Sequence, residues 1–154
     1  MSDVYNTPES NVSPVSEQKG SPVKAVIVGY IIDIIGTMVL GGIFGIFYGV
    51  YLASTGMDIE QIDKASQEFE IISPLGLVSL AIGLSCSILG GYMCAKIVNY
   101  KELQFAAILA VLVVVTGFLL SGDIYSVAQH IGLTAVTVCA IFFGAYLHTT
   151  QKPD

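Results

Sequence analysis

The sequence predicts an all-α integral membrane protein, a bundle of four transmembrane helices. Three observations carry this prediction: four long apolar runs, a charged fraction of only 12% and a mean hydropathy of +0.76. Soluble domains carry roughly 25% charged residues, so a chain of 154 residues with half that share cannot cover a water-facing surface. Most of its side chains must face lipid or one another, which makes the lipid bilayer the first predicted partner.

Each apolar run is long enough to cross the roughly 30 Å hydrocarbon core as a helix. The predicted spans cover residues 25–53, 75–98, 103–120 and 127–147. The first span would be about 43 Å long at 1.5 Å per residue, so its helix must tilt or protrude. Ser73 and Pro74 precede the second span as an N-cap residue and a proline at the first helical position. Together the spans predict a membrane domain over residues 23–149.

The segments outside the spans are polar. Residues 1–22 are rich in Ser, Asn and Pro, which predicts a disordered cytoplasmic tail, and residues 150–154 form a second short tail. The first loop, residues 56–72, contains five acidic residues, Glu68 and Glu70 among them, and one lysine. Its apolar residues Ile59, Ile62, Ala65 and Phe69 recur at helical spacing. This pattern predicts a short amphipathic helix on the outer surface, where it either connects two spans or binds a partner.

The lysines predict the orientation. Five of the six lie in the N-terminal tail, the second loop and the C-terminus: Lys19, Lys24, Lys96, Lys101 and Lys152. The first and third loops together contain only Lys64. By the positive-inside rule both termini are expected in the cytoplasm, in agreement with an even number of spans.

Several function classes lack support in the sequence. A net charge of −6 argues against nucleic acid, which needs a basic surface. There is no HExxH, no phosphate-binding glycine loop and no CxxC, and no Ser or Thr has a His or acid at a catalytic offset. We therefore predict no enzyme, with no catalytic residue, no metal site and no cofactor. The three cysteines lie in apolar segments, where we expect them to be small packing residues.

Small residues form two stripes that predict close helix packing. The first span has a small or polar residue at every fourth position: Ala25, Gly29, Asp33, Thr37, Gly41, Gly45, Gly49 and Ala53. The second span has the series Gly83, Ser87, Gly91 and Ala95. Membrane helices associate through close backbone packing, so we expect these two ridges to form the tightest contact of the bundle. Glycines outside the ridges leave room for a homo-oligomer or for another membrane protein.

Asp33 is a candidate intramembrane polar site. An acid within a span costs roughly 2.5–3.5 kcal/mol on insertion scales, so it should face the protein interior. In an antiparallel pair of spans it would lie near Tyr92 and Lys96. One interpretation is structural, with a hydrogen bond from Tyr92 or a salt bridge with Lys96. The other is a carboxylate that binds a proton or a cation in a cavity.

The end of the second span reads Gly90-Gly91-Tyr92-Met93-Cys94-Ala95-Lys96. It resembles a signature of small bacterial four-span proteins, in which Gly-Gly-Tyr is followed by small residues and a basic residue. Here Cys94 replaces the usual Ala, and Lys96 stands where Arg is common. The resemblance implies a bacterial inner-membrane location and implies no chemistry.

The sequence thus leaves two functions open. The first is a non-enzymatic structural or interaction component of the membrane, and the alternative is a small ion- or proton-coupled transporter or channel that uses Asp33. A cavity that reaches Asp33 would favour transport. Contact of Asp33 with Lys96 or Tyr92 would favour the structural role. The sequence does not identify the substrate.

Overall fold

The computed structural model describes residues 20–67, 73–121 and 126–151. These residues form five α-helices, namely α1 (Pro22–Ser54), α2 (Ile59–Gln67), α3 (Pro74–Val98), α4 (Glu102–Ser121) and α5 (Val127–Thr150). All except α2 are long and apolar enough to cross a membrane, which confirms the predicted all-α architecture with four spans. Most of the predicted N-terminal tail, residues 1–19, lies outside the described residues, as do residues 152–154 of the C-terminal tail.

Serine caps begin three of the four long helices. Ser21 and Ser73 accept hydrogen bonds from backbone N–H groups three residues later, and each is followed by proline at the first helical position. Ser126 and Gln129 form a reciprocal capping box at the start of α5. α3 ends at Asn99, whose left-handed φ of 54° turns the chain toward α4. Local chemistry therefore sets these helix ends.

The short helix α2 confirms the amphipathic helix predicted in the first loop. Asp58 accepts a hydrogen bond from the Gln61 backbone N–H at 2.8 Å, and the Gln61 side chain accepts one from the Asp58 N–H. This reciprocal pair caps the helix. Ile62 and Ala65 are half-buried, and among the described residues α2 contacts α1 only. The predicted continuation toward Glu68, Phe69 and Glu70 lies outside the described residues.

The helix α3 is the centre of the bundle. It contacts α1, α4 and α5, whereas α1 and α5 lie on opposite sides and do not touch within the described ranges. The main core surrounds the end of α3 and the first half of α4, with Cys94, Val98, Leu109 and Ile141 fully buried. We call this the closed end of the bundle. The opposite end, where α1 ends and α3 begins, is called the open end.

A different face of α3 from the predicted one meets α1. A Cβ atom built on Gly29 would lie 2.8 Å from the carbonyl oxygen of Gly90 and 3.0 Å from the Cβ of Cys94. A Cβ atom on Gly36 would lie 3.1 Å from the Sγ of Cys86. Cys86, Gly90 and Cys94 are spaced four residues apart and therefore share one helix face. The predicted ridge is offset from it by one residue, or about 100° around the axis.

The predicted ridge on α3 is therefore wrong as the face that packs on α1. Gly91 packs against the backbone of Ile141 in α5, and a Cβ atom on Gly83 would meet nothing within 4 Å. Ser87 on this ridge does reach α1, through a hydrogen bond to Asp33. Small residues occur on several faces of α3, so their spacing alone could not select the face that meets α1.

The small residues of the α1 ridge are buried in the first half of the helix and uncovered in the second half. Ala25, Gly29 and Asp33 are buried, whereas Cβ atoms built on Gly41, Gly45 and Gly49 would meet nothing within 4 Å. Helices that cross at an angle stay in contact over only a few turns. Within the described residues, Gly41, Gly45 and Gly49 therefore take no part in the predicted contact with α3.

Candidate functional site

Asp33 is buried at the contact between α1 and α3. Its side chain is 3% exposed, and Ser87, which is 4% exposed, donates a hydrogen bond from Oγ to Asp33 Oδ1 over 2.7 Å. This bond depends on the close approach of the two helices at Gly29 and Gly90. A Cβ atom on Gly90 would lie 2.8 Å from the Gly29 carbonyl oxygen and 3.2 Å from the Asp33 Cβ.

The Asp33–Ser87 pair lies near the middle of the membrane-spanning region. Asp33 is about three turns, or about 16 Å, from the start of α1 at Pro22. Ser87 is near the midpoint of the 25-residue helix α3. Half of a hydrocarbon core is about 15 Å, so both helices place this carboxyl group far from either membrane surface.

The predicted partners of Asp33 lie elsewhere, so the predicted site of Asp33, Tyr92 and Lys96 is wrong as a cluster. The Tyr92 hydroxyl donates a hydrogen bond to Gln151 Oε1 at 3.3 Å, and its ring packs edge-on against His148. Lys96 is exposed, about 13 Å along α3 from Ser87 at 1.5 Å per residue. Asp33 contacts α3 near the middle of that helix, at Ser87, and not near its end, where Tyr92 and Lys96 lie. From the sequence, Ser87 is expected on the packing ridge and in interhelical hydrogen bonding, but it is not identified as the partner of Asp33.

A cavity of about 360 Å³ lies between the four long helices and has Asp33 in its wall. Among the described residues that line it, Asp33 is the only charged one, and the other polar side chains are hydroxyls: Thr37, Ser79, Ser87 and Thr137. The rest of the lining is aliphatic or glycine, apart from Met38. The transport alternative of the sequence analysis required such a cavity, but the sequence did not predict its lining, although Thr37 follows Asp33 by one turn on the same face of α1.

The cavity extends from the open end of the bundle to its middle. Gly76 near the start of α3 and Leu120 near the end of α4 line it at the open end, and Asp33 and Ser87 line it near mid-membrane. A second cavity of about 200 Å³ shares Gly117 and Thr137 with the first. The Asp33 carboxyl group therefore lies at the end of the cavity that is nearest the middle of the helices.

The second cavity is also lined by hydroxyl groups, and it extends to His130. His130 Nε2 lies 2.7 Å from Ser121 Oγ, and its ring packs against Phe118. From its place at the start of the fourth span, the sequence predicts His130 to be an interfacial anchor or an external pH sensor, and both alternatives stay predictions. In the structure it lies beside Ser121, the last residue of α4. His148 packs on Tyr92 at the closed end.

No protein-family model, curated protein or solved structure matches this chain. The resemblance through Gly90-Gly91-Tyr92 therefore stays a prediction. Within the described residues, no group of three or more His, Cys, Asp or Glu side chains could hold a metal ion.

Proposed function

We propose that this multi-pass membrane protein is non-enzymatic and binds a small solute in its central cavity, as a transporter or channel does, with Asp33 as the charged group. The observation that carries the proposal is the buried carboxyl group at the deep end of a cavity that begins at the open end. Intramembrane acids are costly, and where they face a cavity they mark substrate or ion pathways. A carboxylate can accept several hydrogen bonds, and Asp33 accepts one from the described residues.

The form of the helices supports a site made of side chains. Many transporters place substrates at broken helices, whose free backbone groups bind the ligand. The four long helices here are continuous, so their mid-membrane backbone groups are used in helical hydrogen bonds. Recognition would then depend on Asp33 and on the hydroxyl groups around it.

The lysines support an outward-facing cavity. Lys24, Lys96 and Lys101 lie at the closed end of the bundle, and Lys64 of α2 lies at the open end. By the positive-inside rule the closed end and both termini would face the cytoplasm of a bacterial inner membrane, and the cavity would open outward. Reporter fusions at the C-terminus, one active only in the cytoplasm and one only outside, decide the orientation.

The proposal is tested by asking whether water reaches the cavity. Thr137 lines the cavity, whereas its neighbour Val136 is exposed on the outside of the bundle, where lipid would cover it. In membrane vesicles, a membrane-impermeant maleimide should label Thr137→Cys well above the background of the native cysteines. It should leave Val136→Cys at that background. Equal labelling of the two variants would refute a water-filled cavity and, with it, the proposed function.

A second candidate function is an interaction component, and the uncovered half of α1 favours it. Gly41, Gly45 and Gly49 share one face that no other described helix covers, and such faces let a second helix approach closely. Gly45→Leu should then convert an oligomer of the purified chain, measured by light scattering in detergent, to a monomer. An unchanged mass for this variant would exclude self-association through this face.

A further inference from the structure

The lining of the central cavity combines one acid with a large aliphatic surface. Asp33 is the only charged residue that the described part of the chain contributes to it, and the walls are largely formed by Leu80, Leu84, Val113 and Leu133. A negative group that is shielded from water attracts a cation strongly. The aliphatic walls favour an apolar body over a strongly hydrated one. The two parts of the cavity therefore match the two ends of an amphiphilic cation.

A bare metal cation fits this lining poorly. Ca²⁺ takes six to eight oxygen ligands, and Mg²⁺ requires six in near-octahedral geometry. Near Asp33 the cavity offers its carboxylate and the hydroxyls of Ser87 and Thr37, while the helical carbonyl groups are used in backbone hydrogen bonds. Three side chains are too few to replace a hydration shell.

A primary ammonium group matches the same polar atoms. It has three N–H donors, and Ser87 Oγ, which already donates to Asp33 Oδ1, still has lone pairs that can accept. Asp33 and Thr37 lie one turn apart on α1, so both can face one ligand. The volume of about 360 Å³ is within the range of small-molecule sites, roughly 300–1,000 Å³.

We propose that the central cavity binds a primary alkylammonium ion, with its charged group against Asp33 and its alkyl chain along the aliphatic wall toward the open end. This inference rests on the proposed function and names its class of ligand. The ligand enters intact and no covalent step is involved. Thr37 and Ser87 orient the ammonium group, and the leucines accommodate the chain.

The experiment measures protection of Thr137→Cys from the impermeant maleimide by hexylammonium chloride, with the full chain in phosphatidylcholine vesicles. Hexylammonium should slow labelling saturably, whereas hexanol, which lacks the charge, should protect at least tenfold more weakly. Adding Asp33→Asn should weaken protection by hexylammonium at least tenfold. Adding Asp58→Asn, which removes an equal charge on the exposed α2 cap, should leave it unchanged.

A second pair of variants keeps the carboxyl group and blocks the space. A Cβ atom on Gly83 or on Gly132 would meet nothing within 4 Å, but only Gly83 lines the cavity. Gly83→Leu should abolish protection and Gly132→Leu should preserve it.

Equal protection by hexanol, or full protection in Asp33→Asn, overturns the ammonium site. If Thr137→Cys is labelled and hexylammonium never protects it, this inference fails while the proposed function stands. If Thr137→Cys is not labelled at all, both fail.

Discussion

Gly90 and Gly91 are neighbours in α3 and face two different helices. A Cβ atom on Gly90 would lie 2.8 Å from the carbonyl oxygen of Gly29 in α1, and one on Gly91 would collide with the backbone of Ile141 in α5. Successive residues of a helix point about 100° apart. This pair of glycines therefore lets α3 approach α1 and α5 at the same level, which gives the Gly-Gly dipeptide a packing role.

Gly91→Ala should destabilise the bundle by about 1–3 kcal/mol, because the added methyl group overpacks a backbone contact. Gly41→Ala is the matched control, since its Cβ would meet nothing within 4 Å. It should be neutral or slightly stabilising, given the higher helix propensity of Ala. Unfolding by SDS in mixed micelles, followed by circular dichroism, measures both. An equal loss in the two variants would contradict the packing role of Gly91.

Asp33 and Ser87 should be energetically coupled, and Asp33 and Lys96 should not. Ser87→Ala removes the donor of the 2.7 Å hydrogen bond, and interhelical hydrogen bonds in membranes contribute about 0.6 kcal/mol on average and up to about 1.7 kcal/mol. A double-mutant cycle of Asp33→Ala, which removes the acceptor, with Ser87→Ala should give a coupling energy in that range. The cycle with Lys96→Met should give a value near zero. A larger coupling to Lys96 would restore the ion pair expected from the sequence.

The hydroxyl of Tyr30 should stabilise the contact between α1 and α4. It lies 2.8 Å from Thr116 Oγ1 and forms the side-chain hydrogen bond between these helices in the described residues. Tyr30→Phe keeps the ring and removes the bond, so the free energy of unfolding should fall by about 0.6–1.7 kcal/mol. Tyr146→Phe, at an exposed position on α5, should change it by much less. A Thr116→Val variant as stable as the parent would show that this bond contributes nothing.

Two leucines of α4 should differ strongly in their contribution to stability. Leu109 is 0% exposed in the core of the closed end, and Leu119 is 75% exposed. Leu109→Ala should lower the free energy of unfolding by about 2–5 kcal/mol because it leaves a cavity. Leu119→Ala, at an exposed position, should lower it far less. The same SDS titration measures both variants. Similar losses would mean that the closed end is not the packed half of the bundle.

The predicted span limits agree with the observed helices because local features set them. The predicted second span, 75–98, corresponds to α3 at Pro74–Val98, where Ser73 and Pro74 begin the helix and Asn99 ends it. The cap pairs act within three residues, so they can be read directly from the sequence. The short helix α2 was also predictable from local sequence, because Ile62 and Ala65 follow one another at helical spacing.

The candidate site was predictable only in part. The cost of an acid in lipid is a property of one residue, so the burial of Asp33 followed from the sequence. Its partner did not, because the partner depends on how far α3 slides along α1 and on which face it turns inward. Tyr92 and Ser87 are five residues apart on α3, so a shift of about 7.5 Å together with a rotation of about 140° exchanges one for the other.

The sequence by itself determined that this protein has four long apolar helices, a short amphipathic helix and a buried acid, since length, apolar content and caps are local properties. Only the tertiary structure decided that α3 turns Cys86, Gly90 and Cys94 toward α1 and that Gly41, Gly45 and Gly49 of α1 stay uncovered by the described residues. It alone decided that a cavity remains beside Asp33. The physical reason is that small residues permit close approach on several faces of a membrane helix, and the packing of all four helices together selects among those faces.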